Sequence, residues 1–143
     1  MPVGFVGHDF GKLISAAASK DMGIVVIRVM AGGALGGPGA RAGHASPTTG
    51  GALVSGSQYD AEMAGGRNLD FMLTGDVTSL PQAAVRFALM NGGVSTVLVG
   101  FSDEKQIDEA AACSGKGAIP DAALERLRAV WSSQSGRQTA ADA

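Results

Sequence analysis

Residues 95–109, STVLVGFSDEKQIDE, set an apolar run, a glycine and a cluster of helix-starting side chains in immediate succession. Val97, Leu98 and Val99 lead into Gly100; Ser102, Asp103 and Glu104 then open a stretch with helical character. A glycine lets backbone approach a ligand closely, and a helix start offers unsatisfied N–H groups at the positive end of the macrodipole. Strand, glycine and helix start in that order can form one wall of a phosphate site. The same residues also make an ordinary connection, in which two acids already satisfy the helix end and repel a phosphate set directly on it. Both readings stand on these residues alone.

The other chemistry-bearing side chains are scattered. Arg28 ends the apolar run GIVVIRV, and a strand's C-terminal end is where barrel sites sit; a partly buried arginine paired with a carboxylate fits the position equally well. His8 and His44 stand in a turn-like start and a glycine-rich loop, where solvent exposure is the plainer reading. Two separate histidines and one cysteine give no metal-ligand spacing, so no metal site is expected. Residues 37–42, GPGARA, fit G-x-G-x-x-A but lack the strand before and the helix after that the dinucleotide fingerprint needs. Asp121, Glu125 and Arg128 read as a solvated helix face, and Cys113 as a small buried hydrophobe.

These side chains must be positioned by alternating helices and strands. Phe10, Leu13, Ile14, Ala17 and Ala18 repeat at helical spacing, with Asp9 as the expected N-cap and Gly23 as the C′ residue. GIVVIRVM (23–30) reads as a strand covered on both faces. Residues 32–57 form a glycine-rich loop, long enough to suggest function or disorder. SQYDAEM then allows one or two helical turns capped by Ser57, and LDFML (69–73) is ambiguous. Ser79 and Gln82 make a capping box, Pro81 suits a first turn, and Asn91-Gly92-Gly93 stops the helix near Met90. Val94 to Val99 is the second strand, Ser102 is expected to cap a helix over 103–113, and a last helix starts near Pro120 with Leu124, Leu127 and Trp131 on one face. Residues 133–143 read as a flexible polar tail.

The chain has 143 residues, enough for one domain with a real core. A net charge of -2 argues against nucleic acid as a partner, and no apolar run approaches the roughly 20 residues of a membrane span. The start, MPVGFVGHDFG, lacks the basic flank and apolar core of a secretory signal. One cysteine suits a reducing compartment, so a soluble, cytoplasmic protein is expected. Two strands alternating with helices predict parallel pairing, yet a two-stranded parallel sheet leaves edges and faces uncovered. The expected fold is therefore α/β, part of a barrel or wound sheet, with self-association through the open edges as a further expectation.

Over residues 4–131 the chain resembles the C-terminal portion of an aldo/keto reductase. The resemblance lies in DMGIVVIRVMAGGALGG and, more specifically, in RFALMNGGVSTVLVGFSDEKQIDEA. It implies a partial (β/α)8 TIM barrel, a C-terminal fragment with two parallel strands and about five helices, occupying residues 1–132. On this mapping the strands are the seventh and eighth, and the cofactor implied is NADP(H), with a small-molecule carbonyl substrate in full-length relatives. Gly100, Phe101 and Ser102 match the turn that approaches the nucleotide phosphate. Gln106 and Glu109 match positions beside the adenosine, while Ala110 stands where an asparagine is common. Arg28 stands where many members stack an aromatic ring on the nicotinamide, and Val29-Met30-Ala31 replaces the usual S-P-L. The resemblance implies a catalytic tyrosine, lysine, aspartate and histidine from the barrel's first half; Tyr59, the one tyrosine here, does not match that position. No catalytic residue is therefore expected in this chain, which should be inactive alone. The alternatives are a non-catalytic module that self-associates or complements a half-barrel, and an autonomous Rossmann-like binder.

Overall fold

The computed structural model describes residues 11–37 and 66–141, with side chains described as far as residue 132. Asp9, His8, His44, Tyr59, most of the glycine-rich loop and the SQYDAEM segment lie outside the described residues. Helix α1 spans Gly11–Ala18 and strand β1 spans Val25–Val26. A 3-10 segment follows at Ala31–Gly36, and a second at Arg67–Met72 takes up most of the ambiguous LDFML stretch. Helix α2 is Leu80–Leu89, strand β2 Thr96–Val97, helix α3 Glu104–Ala111 and helix α4 Asp121–Ala141. The last helix thus continues through residues where the sequence suggests a flexible tail. Among the described residues no helix is long and apolar enough to cross a membrane.

The two strands pair in parallel, Val25 with Thr96 and Val26 with Val97. Both are shorter than the sequence suggests, and the reason lies in the backbone of Arg28. Its φ of 60° leaves the extended region, and the Ala31 amide then donates to the Arg28 carbonyl at 2.9 Å. The apolar run therefore bends after Ile27, and Val29 is buried in the turn rather than in a ladder. With so short a partner, β2 pairs over only two residues as well. A second correction concerns the end of α1. Asp21, not Gly23, takes the left-handed position at φ 56°, with Met22 N–H donating to Ala17 O and Asp21 N–H to Ala18 O. That is the Schellman arrangement, with aspartate in place of the usual glycine.

Helix α2 starts as its residues dictate. Ser79 Oγ accepts from the Gln82 amide at 3.2 Å, and Gln82 Oε1 accepts from the Thr78 amide at 3.0 Å. Ala83 and Ala84 are fully buried, and their small size lets α2 approach the first 3-10 segment closely. The main core joins Ala31, Ala34 and Leu35 to Leu69 and Met72, to α2, and to Ile119, Ala123, Leu124 and Leu127. Phe87 meets Trp131 edge-on at 5.9 Å between ring centres, and Arg126 lies over the Phe71 ring at 4.5 Å. Among the described residues the sheet is covered on one side only. Val26, Val97 and Val99 pack with Val29, Val85 and Cys113, while Val25, Ile27 and Leu98 are 57%, 52% and 65% exposed.

Candidate functional site

Arg28 follows β1 by two residues and Gly100 follows β2 by three. Because the strands are parallel, both residues lie beyond the same end of the sheet. Arg28 and the turn Gly100-Phe101-Ser102 thus share one end of the sheet although they are 72 positions apart in sequence.

The turn is open. A Cβ built on Gly100 would meet nothing within 4 Å, and Phe101 next to it is 60% exposed. Ser102 is half-buried, but it is not the cap of the helix that follows. That role belongs to Asp103, whose Oδ1 accepts from the Gln106 amide at 2.9 Å. The Ser102 amide instead donates to Gln106 Oε1 at 2.8 Å, and the Ser102 hydroxyl donates to the same oxygen at 3.3 Å. The sequence D-x-x-Q carries this signal as clearly as the serine does. What decides between them is that Gln106 reaches one residue further back, as Gln82 does at the start of α2. The amide of Gln106 and its side-chain oxygen are thus both engaged within the chain, and Asp103 and Glu104 stand exposed at the helix start.

Glu109 lies one turn along α3 from Gln106, and its Oε1 accepts from the Ser79 hydroxyl. Ser79 is therefore a residue of this neighbourhood that the sequence did not single out for it. Its capping box is plain to read, but a contact across 30 positions leaves no local signature. The bond ties the start of α2 to α3 and holds the Glu109 carboxylate between the two helices. Cys113 continues the same seam, its thiol directed at the carbonyls of Glu109 (3.3 Å) and Gln82 (4.0 Å). Burial, followed by the charge of Glu109, pushes that thiol above its ordinary pKa and so favours its protonated form.

Arg28 is half-buried, and its guanidinium lies over Gly32: a Cβ there would come within 3.9 Å of Nη2. Gly32 itself sits at φ 66°, a conformation that favours glycine. The arrangement as a whole is a shallow, solvent-open edge, with one guanidinium on the β1 side and carboxylates on the β2 side. It can seat a flat, uncharged group against Phe101 and offer hydrogen-bond acceptors to hydroxyls. Among the described residues it holds no paired acid and base, and no group of three His, Cys, Asp or Glu side chains suited to a metal.

A family model described as the aldo/keto reductase family matches residues 8–132. The search among curated proteins and the search among solved structures each gave no match.

Proposed function

Because the chain belongs to the aldo/keto reductase family, matched over residues 8–132, we propose that it forms the cofactor-facing edge of a nicotinamide-dependent oxidoreductase. What supports this reading is that Arg28 and the open turn at Gly100, Phe101 and Ser102 both follow their strands at one end of a parallel sheet. In (β/α) architectures sites lie beyond the C-terminal ends of the strands. Gln106 and Glu109 stand on the helix that follows, where the family resemblance sets the adenosine end. Such a cofactor, when bound, supplies the hydride that reduces a carbonyl substrate. In this chain no residue matches the catalytic tyrosine position, so the function proposed is binding without turnover. A cytoplasmic location accompanies this reading.

Members of the family typically use NADP(H). The residues here fit the adenosine of such a cofactor: an exposed aromatic ring for stacking and carboxylates for hydroxyl groups. They do not fit its 2′-phosphate, because the helix start is acidic and the Gln106 amide is already engaged by Asp103. The test is a two-dimensional NMR titration of the whole chain with NADH and, separately, NADPH. Resonances of residues 100–109 should shift with at least one of them, at an affinity of about millimolar. No shift with either nucleotide overturns the reading. Turnover of NADPH or NADH with a panel of aldehydes at an ordinary rate would overturn the proposal of binding without catalysis.

A second reading rests on the sheet. Val25, Ile27 and Leu98 are exposed on a sheet with only two strands among the described residues. A surface of that kind suits a module that associates with another copy or with the complementary part of a barrel. Sedimentation analysis should then show a mass that rises with concentration. A monomer at every concentration would count against self-association.

A further inference from the structure

NAD(H) and NADP(H) differ by one phosphate on the adenosine ribose, and the start of α3 carries two exposed carboxylates, Asp103 and Glu104. Resting on the cofactor-edge reading above, we infer that Phe101, Asp103 and Glu104 admit an adenosine with a free 2′-hydroxyl and turn away one carrying a 2′-phosphate, which makes NAD(H) the cofactor class of this chain.

Residues 100–109 hold four carboxylates, Asp103, Glu104, Asp108 and Glu109, against the single Lys105. A phosphate monoester brings roughly -1.5 to -2 charges at neutral pH. Asp103 and Glu104, the carboxylates nearest the open turn, are both exposed, and Glu104 stands in the first turn of α3. Their charges oppose the helix dipole that would otherwise favour an anion there. The first-turn amide of Gln106 is spent on Asp103 Oδ1, and the Phe101 side chain has no donor to offer. Lys105 is the one cation within residues 100–109, and among the described residues the Arg86 guanidinium is held by Asp76. A ribose hydroxyl meets the opposite situation. A carboxylate accepts from it readily, and nucleotide sites without a 2′-phosphate use an acidic side chain in that way. Asp103 caps through one oxygen and, as a carboxylate, has acceptor capacity beyond that bond.

The experiment compares NADH with NADPH, and 5′-AMP with 2′,5′-ADP, by NMR titration of the whole chain at low and high salt. NADH should bind about fivefold or more tightly than NADPH at low ionic strength, and the gap should narrow as salt screens the carboxylates. The variants Glu104→Gln and Asp103→Asn/Glu104→Gln remove charge with little change in shape, and asparagine caps a helix as well as aspartate. In the double variant NADPH should gain most of the lost factor while NADH, losing the carboxylate that accepts its ribose hydroxyl, should weaken. Equal or tighter binding of NADPH by the native chain overturns the inference, as does a gap that survives in a folded double variant. If neither nucleotide shifts these resonances, the cofactor-edge reading fails and this inference falls with it. If both bind alike, only the inference fails.

Discussion

Arg86 makes four hydrogen bonds from a side chain only 5% exposed. It donates to Asp76 Oδ1 at 2.6 Å and to the carbonyls of Lys116, Gly117 and Ala118 at 3.2–3.4 Å, tying the connection between α3 and α4 to α2. Removing the guanidinium strands those carbonyls, so Arg86→Ala should lower stability by about 2–4 kcal/mol in urea unfolding. Lysine cannot reproduce the fork, and Arg86→Lys should recover only part of the loss. The hydrogen bond from Arg86 holds the Asp76 carboxyl below its ordinary value of 3.8. A lowered folded-state value means the stabilisation is fully present above pH 3.8 and fades as pH falls through the lowered value. Unfolding midpoints followed from pH 6 down to about pH 2 should therefore fall less steeply for Asp76→Asn than for the native chain; equal slopes would show that Asp76 carries no such linkage. Cys113 gives a third expectation at this scale: an aromatic disulfide reagent should label it slowly in the native chain and rapidly in denaturant.

Helix α1 is docked by a glycine. A Cβ at Gly93 would come within 2.8 Å of Ile14 Cγ2 and 3.4 Å of Ala18 Cβ, so the connection before β2 and the face of α1 touch through that missing atom. Gly93→Ala should cost about 1–2 kcal/mol by overpacking, whereas Gly92→Ala, where a Cβ meets nothing within 4 Å, should cost much less. Thermal melts of the two variants side by side decide the point. At this scale the sequence is legible wherever the signal is local. Ser79, Gln82 and Pro81 mark the start of α2, and Leu124, Leu127 and Trp131 mark the inward face of α4. It is less legible where a tertiary constraint overrides composition. GIVVIRVM has the residues of a long strand, but the left-handed turn at Arg28 ends the ladder after two residues. Ser102 looks like a cap, yet Gln106 draws its amide inward and leaves Asp103 to do the capping. The Ser79–Glu109 bond has no counterpart in sequence pattern at all.

The molecule as a whole puts its main core beside the sheet rather than on it. The 3-10 segments, α2 and α4 enclose Leu35, Leu69, Met72, Ile119 and Leu127, while the strands add only a small cluster around Val29, Val85 and Cys113. Sequence shows the βα alternation but not this division, because segments of glycine, alanine and scattered leucines carry no period to read. Charging the bare side of the sheet tests what it is for. Val25→Lys or Leu98→Lys should leave the melting temperature within a few degrees and abolish any concentration-dependent rise in mass. The distance in sequence between the strands has a further consequence, for the timing of local opening. Ile24 and Ser95 meet across 71 positions, and closing a loop of that length costs about 4 kcal/mol of chain entropy. The bonds from Ser95 and Thr96 N–H to Ile24 O, from Leu98 N–H to Val26 O and from Ile24 N–H to Ser95 Oγ offset about that much and leave little margin, at about 1 kcal/mol for each hydrogen bond. The margin of the pairing then comes from the packing of Val26, Val97 and Val99 on the cluster that includes Val85 of α2, and the strands should be the first part of the molecule to open. Amide hydrogens of Ile24 and Leu98 should exchange with solvent by an opening that leaves α2 and α4 protected.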